Sequence, residues 1–236
     1  MRARAELIVD GAVRWRSVPP VVLRPTGRHR VHLVQAAGGP LGGDDLGLAV
    51  RVGRNARLEL RTAAATVAQP GSPPGPARWT LDAEVACGAR LDWLPEPTVV
   101  CDGAELHSTV HIRLADGGSA VLREEVVLGR VGQRGGRYRG ELAVEHAGVP
   151  LLLHTLLLDG AHPALSGPGG TGGCRAVGTL LVVGAGLTGP PEGAGEHPGL
   201  RWACSALEGP GRMLLAVGDV PAVAVLLDHA LDVTLR

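Results

Sequence analysis

The sequence contains no Phe, no Lys and a single Tyr, Tyr138, among its 236 residues. Four Trp complete the aromatic content, so the hydrophobic 45% of the chain consists mainly of Ala, Val and Leu. Proteins that bind bases or other planar ligands commonly stack them on aromatic side chains. The composition therefore argues against a binding pocket built from aromatics.

An excess of positive charge is also absent. The 23 basic residues, all Arg, are matched by 23 Asp and Glu, which gives a formal net charge of zero. Nucleic acids and anionic membranes both attract basic surfaces, so we expect neither as the main partner. A neutral chain has little self-repulsion to oppose association, which weakly favours a protein that works in complexes.

Long apolar segments are missing as well. No stretch approaches the ~18 apolar residues of a membrane span. The N-terminal residues begin basic without the apolar segment of a secretory signal, so we expect a cytoplasmic protein. The cysteines form no C-x-x-C pair, and we expect buried, reduced thiols at Cys87, Cys101, Cys174 and Cys204.

Alternation of apolar and polar residues dominates the first two-thirds of the chain, as in half-buried strands. In the segment 106–114, for example, apolar residues and Ser108 alternate with polar ones. Turn sequences such as Asp116-Gly117-Gly118 separate these segments at hairpin distances, which predicts meandering antiparallel strands. The pattern 52–60 recurs loosely at 85–93, an offset typical of stacked β units.

These patterns predict a mainly β fold: an elongated stacked or two-layer antiparallel β body, in one domain over residues 1–236. Proline and glycine predict exposed loops at 70–76, 167–173 and 189–198, and an apolar strand at 177–183. A C-terminal helix is predicted from about Val220, after Asp219, with its apolar side chains on one stripe.

Common catalytic and nucleotide-binding motifs are either absent or lack the flanking residues that they require. Residues 184–189 match G-x-G-x-x-G, but Pro190-Pro191 follow where a nucleotide-binding helix would begin. The glycine-rich run 167–173 lacks the following G-K-[ST] of a phosphate-binding loop. No G-x-S-x-G and no H-E-x-x-H occur. We therefore expect no enzymatic activity and no permanently bound cofactor.

Histidines are the remaining chemical candidates. His107 and His111 share a face of a predicted strand but lie roughly 13 Å apart along it, too far to clamp one ion alone. His29 and His32 would lie on opposite faces. Most of these side chains fit polar strand faces, with transient contact to nickel or zinc as the alternative.

Several short motifs together resemble the urease accessory protein UreD family. They are Gly38-Gly39-Pro-Leu-Gly42-Gly43-Asp44, Leu46-x-Leu48-x-Val50, Leu60-x-Thr62-Ala-Ala-Ala-Thr66, Leu91-Asp-Trp-Leu94-Pro95-Glu-Pro97 and the strand from Val121 to Gly129-Arg130. The resemblance lies mostly within residues 30–160. The chain departs from the family pattern at 67–70, where a basic and an aromatic residue are usual, and at 131–136.

The resemblance implies a β-rich scaffold without catalytic activity of its own. In that family the subunit binds the helical accessory protein UreF, recruits the GTPase UreG through it, and docks on apo-urease for nickel delivery. A polar internal passage is proposed there to carry nickel. The resemblance thus implies partner-binding or motif roles for Gly39, Gly42, Gly43, Asp44, Thr62, Thr66, Leu94, Pro95, Pro97, Gly129 and Arg130.

If nickel passes through the protein, carboxylate oxygens and imidazole nitrogens are the ligands that suit it. Asp44 or Asp45 could present a carboxylate beside the glycine-rich run, and His107 and His111 could add imidazoles. Asp44 could equally satisfy the amides of its own turn. We expect Asp44 to be needed for urease activation.

A different class of function is a stand-alone β-sandwich that binds a ligand or acts on sugars through scattered carboxylates such as Glu124 and Glu125. Adjacent strand residues point to opposite faces, so this pair cannot act as a juxtaposed acid and base.

Overall fold

More than half of the chain is folded into short strands in a computed structural model, which describes residues 1–235. The strands are β1 Arg2–Asp10, β2 Ala12–Arg16, β3 Val21–Pro25, β4 Arg30–Gln35, β5 Asp45–Val52, β6 Arg57–Thr62, β7 Thr66–Ala68, β8 Ala77–Val85, β9 Arg90–Leu94, β10 Thr98–Val100, β11 Glu105–Leu114, β12 Ser119–Leu128, β13 Arg137–His146, β14 Val149–Asp159, β15 Ala176–Gly184, β16 Gly193–His197, β17 Leu200–Ala206 and β18 Gly211–Gly218. The helices are a 3-10 turn, Pro163–Ser166, and α1, Val220–Leu235.

The strands form two sheets. The seven-stranded sheet has the order β14-β13-β11-β8-β5-β1-β2. The eleven-stranded sheet has the order β16-β17-β18-β15-β12-β9-β6-β4-β3, with β7 and β10 as a further pair beside β12. Both sheets contribute to one apolar cluster, so they face each other across a shared core.

The centre of the molecule is a stack of three similar layers. Each layer places one strand in the seven-stranded sheet and the next in the eleven-stranded sheet: β5 with β6, β8 with β9, and β11 with β12. Strands of successive layers pair in parallel, so that Leu48 lies beside Leu81 and Leu81 beside Val110. Because each side chain stacks on its counterpart, one alternating pattern buries the same face of every layer.

Four-residue turns connect the two strands of each layer. The third residue of each turn has a positive φ: Asn55 at 57°, Gly88 at 69° and Gly117 at 74°. Glycine and asparagine tolerate this conformation, which explains their recurrence at equivalent places. The turns also stack, because the Asn55 amide donates to the Cys87 carbonyl and the Gly88 amide to the Gly117 carbonyl.

The C-terminal helix covers part of the outer face of the eleven-stranded sheet. Its buried residues, Val223, Leu227, Ala230, Leu231 and Thr234, form one stripe at helical spacing. This stripe packs on the all-buried strand β15 and on its neighbours. Within residues 1–235, no helix has both the length and the apolar character to span a membrane.

The predicted mainly β class, the stacked arrangement and the C-terminal helix are confirmed. Three expectations were wrong in detail. The central pairs are parallel, because each short turn carries the chain to the opposite sheet; antiparallel pairs occur only toward the ends, as in β13 with β14. The predicted loop 189–198 contains β16, which forms a hairpin with β17. Cys87 is exposed at a turn, whereas Cys101 and Cys204 are buried and Cys174 is intermediate.

We predict that Gly178→Ala loosens the helix from the sheet. A Cβ at Gly178 would lie 2.6 Å from Val223 Cγ1 and 2.8 Å from Leu227 Cδ1, so the helix must shift to admit it. Overpacking of this kind costs about 1–3 kcal/mol. Urea unfolding followed by circular dichroism should show the loss, whereas the control Gly169→Ala, with open space around its Cβ, should unfold like the wild type. Equal midpoints for both variants would contradict this packing.

Candidate functional site

Two neighbouring layers of the eleven-stranded sheet are both interrupted, at equivalent positions along their strands. One layer leaves strand geometry at residues 63–65, between β6 and β7, and the next at 95–97, between β9 and β10. Strand β9 pairs with residues 119–122 of β12, and β10 pairs with residues 126–128. Residues 123–125 of β12 therefore have no ladder partner on that side.

Proline and threonine account for the interruption. Pro95 and Pro97 cannot donate to a ladder, which ends the strand at Leu94. The Thr62 hydroxyl accepts a hydrogen bond from the Glu96 amide at 2.8 Å, and the Thr66 amide donates to the Pro97 carbonyl at 3.0 Å. The two bends are thus fixed to each other. Leu94 points outward into the cluster beneath α1.

The glycine-rich run lies in the preceding layer, beside these bends. Gly39 and Gly43 have φ values of 136° and 86°, which favour glycine. A Cβ at Gly42 would lie 2.6 Å from the Gly75 carbonyl oxygen, so this glycine permits the loop 70–76 to approach closely. The glycines thus permit tight turning at positions 39 and 43 and close backbone approach at position 42.

A cavity of about 50 Å³ lies between the two sheets at the interruption. Hydroxyl, amide and carboxylate groups line it among apolar side chains. The lining residues are Leu33, Gln35, Pro40, Thr62, Thr66, Trp79, Trp93, Pro95, Glu96, Thr98, Leu106, Ser108, Val110, Glu124 and Glu125. We call it the inter-sheet cavity. Its size exceeds the ~10–15 Å³ that one water molecule needs.

Glu124 reaches this cavity from the inner face of β12. The Tyr138 hydroxyl donates a hydrogen bond to Glu124 Oε1 at 2.5 Å. Burial raises the pKa of the Glu124 carboxyl, and the Tyr138 hydrogen bond opposes part of that rise. Burial, with the nearby Glu124, also raises the pKa of the Tyr138 phenol well above its ordinary value.

Glu125 lies on the other face of β12, as alternation requires, yet it also lines the cavity. The missing ladder beside residues 123–125 gives it that access. The residue is 2% exposed; Oε2 pairs with Arg123 at 3.2 Å, whereas Oε1 has no hydrogen-bond partner within residues 1–235. Burial raises the pKa of the Glu125 carboxyl more than Arg123 lowers it, and Glu96 adds to the rise.

A surface groove adjoins the cavity and shares four of its residues: Leu33, Gln35, Thr62 and Thr66. We call it the outer groove. Gly39, the alanines 63–65 and Arg130 also line it. Gly129, with φ 69°, ends β12, and its amide donates to the Val100 carbonyl, which places Arg130 at the groove. Motif residues far apart in sequence are therefore neighbours here.

The four residues expected to contact nickel lie outside the inter-sheet cavity. Asp44 is 8% exposed, and its carboxylate accepts hydrogen bonds from the Leu41 amide at 2.9 Å and from the Met1 amino group at 2.6 Å. Asp45 lies on the outer face of its sheet, where the Arg4 and Arg2 guanidinium groups lower its carboxyl pKa.

The two strand histidines share the outer face of the seven-stranded sheet, as expected. His107 Nε2 lies 3.0 Å from Glu105 Oε1, and His111 Nε2 lies 3.1 Å from Glu145 Oε1. Within residues 1–235, no group of three or more His, Cys, Asp or Glu is arranged to hold a metal ion.

Sequence reasoning did not select Glu96, Glu124, Glu125 or Tyr138 as members of one site. The available signal was the charged triplet Arg123-Glu124-Glu125 between apolar residues of Val121–Leu128, a position where a buried charge is costly unless it is paired. Adjacency rules out a juxtaposed pair on a continuous sheet. Strand alternation alone does not predict the gap beside residues 123–125, through which Glu125 lines the same cavity as Glu124.

We predict that Glu124→Gln changes the pH dependence of stability. A carboxyl with a raised folded-state pKa binds more protons folded than unfolded, so the wild type loses stability as the pH rises above the ordinary carboxyl value of 4.5. The variant's advantage in unfolding free energy should therefore grow from about pH 4.5 toward neutrality, by at most about 1.4 kcal/mol per pH unit.

Urea unfolding of both proteins across this pH range measures the difference. The exposed Glu208→Gln serves as the control, and its difference from wild type should stay nearly flat. A constant gap between Glu124→Gln and wild type would contradict a raised pKa for Glu124.

Comparison with known proteins agrees with the motifs gathered at this site. The sequence model of the family described as UreD urease accessory protein matches residues 12–226. The chain is 46% identical to the urease accessory protein UreD of Frankia alni over 205 residues, covering 80% of this chain and 68% of that protein. It is 39% identical to the UreD of Frankia casuarinae, covering 93% and 85%. For the UreD of Streptomyces coelicolor the identity is 38%, covering 98% and 96%. The chain belongs to the urease accessory protein UreD family.

Proposed function

We propose that this chain is a non-catalytic cytoplasmic subunit of urease maturation. It binds a UreF protein, recruits the GTPase UreG through UreF, and docks on apo-urease. Nickel enters as cargo and is not retained as a cofactor. The observation that carries this proposal is the convergence of family-motif residues Thr62, Thr66 and Pro95 on a cavity lined by three carboxylates.

The chemistry of the inter-sheet cavity suits a cation in transit. Glu96, Glu124 and Glu125 supply carboxylate oxygens, and Thr62, Thr66, Thr98 and Ser108 supply hydroxyls. Oxygen ligands of this kind bind divalent cations, and the buried Glu125 Oε1, which has no hydrogen-bond partner within residues 1–235, is free to do so. The raised pKa values of Glu124 and Glu125 favour their neutral forms when no cation is present, and an arriving cation favours the ionised forms.

Within this proposal Asp44 has a supporting role in activation. Its carboxylate holds the Leu41 amide, and the adjoining Pro40 lines the cavity. Loss of Asp44 would loosen the loop that forms this part of the wall. Asp45, His107 and His111 would contact nickel only at the surface.

Co-expression with UreF, UreG and the urease subunits of the same organism tests the proposal. Affinity capture of this chain should retain UreF, and should retain UreG only when UreF is present. Urease activity in cells given nickel should require this chain. Failure to retain UreF together with full urease activity in its absence would contradict the proposal.

We predict that Glu124→Gln combined with Glu125→Gln separates assembly from nickel delivery. The substitutions remove two carboxylates of the cavity without changing side-chain shape, so capture of UreF should be unchanged while nickel-dependent urease activation falls several-fold. Glu208→Gln, an exposed carboxylate far from the cavity lining, should leave both measurements at the wild-type level. Full activation by the double variant would remove these acids from the route.

A further inference from the structure

Tyr138 is the only tyrosine of the chain and lies at a boundary between two spaces. It is an inward-facing residue of β13, 2% exposed, beside Leu106 and Leu158 on the adjoining strands. Its hydroxyl contacts Glu124, a residue of the inter-sheet cavity, as described above. Tyr138 also lines a second, different pocket.

That second pocket has a volume of about 430 Å³ and opens at the surface near the start of β13. We call it the strand-end pocket. Its lining residues are Glu105, His107, Arg137, Tyr138, Arg139, Leu157, Leu158, Asp159, His162, Ala164, Leu165 and Gly170. None of them except Tyr138 makes a side-chain hydrogen bond to a residue of the inter-sheet cavity among those described for residues 1–235.

The backbone is shaped to accept the ring in this place. A Cβ on Gly140, two residues along β13, would lie 2.7 Å from Tyr138 Cε1 and 2.9 Å from its hydroxyl oxygen. Any other residue at position 140 would displace the ring. The absence of a side chain there thus allows the phenol to lie along the inner face of β13 and to reach Glu124.

We propose that Tyr138 is the gate between the inter-sheet cavity and the strand-end pocket, closed by its hydrogen bond to Glu124. This inference rests on the proposed function, since it gives the cation a second opening besides the outer groove. The ring separates the two spaces, and the hydroxyl holds the ring in place.

The Tyr138–Glu124 hydrogen bond also makes the position of the Tyr138 ring depend on whether a cation is bound. A divalent cation that takes the Glu124 oxygen competes with the Tyr138 hydroxyl for it, so occupation of the cavity releases the ring. The strand-end pocket then offers the Glu105 carboxylate with His107, and His162, as the next ligands. The two guanidinium groups of this pocket are each paired with a carboxylate, Arg137 with Asp159 and Arg139 with Glu141.

Tryptophan fluorescence gives a direct test, because Trp79 and Trp93 both line the inter-sheet cavity. In the full chain carrying Trp15→Phe and Trp202→Phe, emission comes from these two residues alone. Nickel ions quench a nearby indole, so rapid mixing with NiCl₂ should show a slow phase as the ion reaches the cavity. Tyr138→Phe keeps the ring and removes the hydroxyl that bonds to Glu124. It should accelerate that phase several-fold, up to about tenfold, since an ordinary hydrogen bond contributes that much.

The control is Glu208→Gln, which changes an exposed carboxylate outside both pockets and leaves the Tyr138–Glu124 hydrogen bond intact. It should leave the rate unchanged, and His107→Ala added to Tyr138→Phe should slow the accelerated phase. Quenching at the same rate in wild type and Tyr138→Phe would overturn the gate while leaving the cation route intact. No quenching in any variant would overturn the cation route and the gate together.

A second measurement does not depend on the folding of Tyr138→Phe. Because Tyr138 is the sole tyrosine, growth with 3-fluorotyrosine labels this position alone. The single ¹⁹F resonance should shift or broaden on addition of NiCl₂, and Glu124→Gln should abolish the response. A resonance insensitive to nickel in the wild-type chain would overturn the coupling between cargo and gate.

Discussion

Parallel, in-register stacking of strands is the constraint on which the rest of this structure depends. Leu48, Leu81 and Val110 lie side by side because each layer repeats the geometry of the one before. A bend at one position along a layer therefore lies beside the equivalent position of the neighbouring layer. The bends at 63–65 and 95–97 align for this reason, and the bend at 95–97 leaves residues 123–125 of β12 without a ladder partner on that side.

The gap also explains how acidic side chains are tolerated in an apolar core. A buried carboxylate without compensation costs several kcal/mol, and a single pairing partner seldom repays this. Glu124 is held by Tyr138, whereas Glu125 has Arg123 at one oxygen only. Elsewhere the chain satisfies a buried acid fully: Asp92, 1% exposed, pairs with Arg90 and Arg57. The contrast between Asp92 and Glu125 separates a structural acid from a candidate functional one.

Local rules predicted much of this fold. Alternation identified β5, β6, β8, β9 and β11, the proline-rich run at 70–76 identified a loop, and helical spacing identified α1. The direction of strand pairing was missed, because a four-residue turn serves a hairpin and a crossing between sheets equally well in sequence. The 33-residue offset between 52–60 and 85–93 was the better guide, since equivalent strands of a stack recur once per layer.

The site was less predictable than the fold. Motif resemblance pointed to Thr62, Thr66, Pro95 and Arg130, which the structure brings to the cavity or to the outer groove. It gave no reason to connect them with Glu124 or Tyr138, because the contact between these two residues joins β12 of one sheet to β13 of the other, and no sequence pattern predicts which side chains meet across the two sheets. Metal preference alone selected Asp44, Asp45, His107 and His111, whose partners are loop amides, the N-terminal amino group, arginines and surface carboxylates.

The aligned bends open onto the inter-sheet cavity, where we propose that carboxylates meet a divalent cation. A crystal of the chain equilibrated with NiCl₂, measured at the nickel absorption edge, tests it most directly. An anomalous peak is expected in the inter-sheet cavity, within coordination distance of a Glu124 or Glu125 oxygen. Peaks confined to surface histidines such as His29 and His107, with an empty cavity, would contradict it.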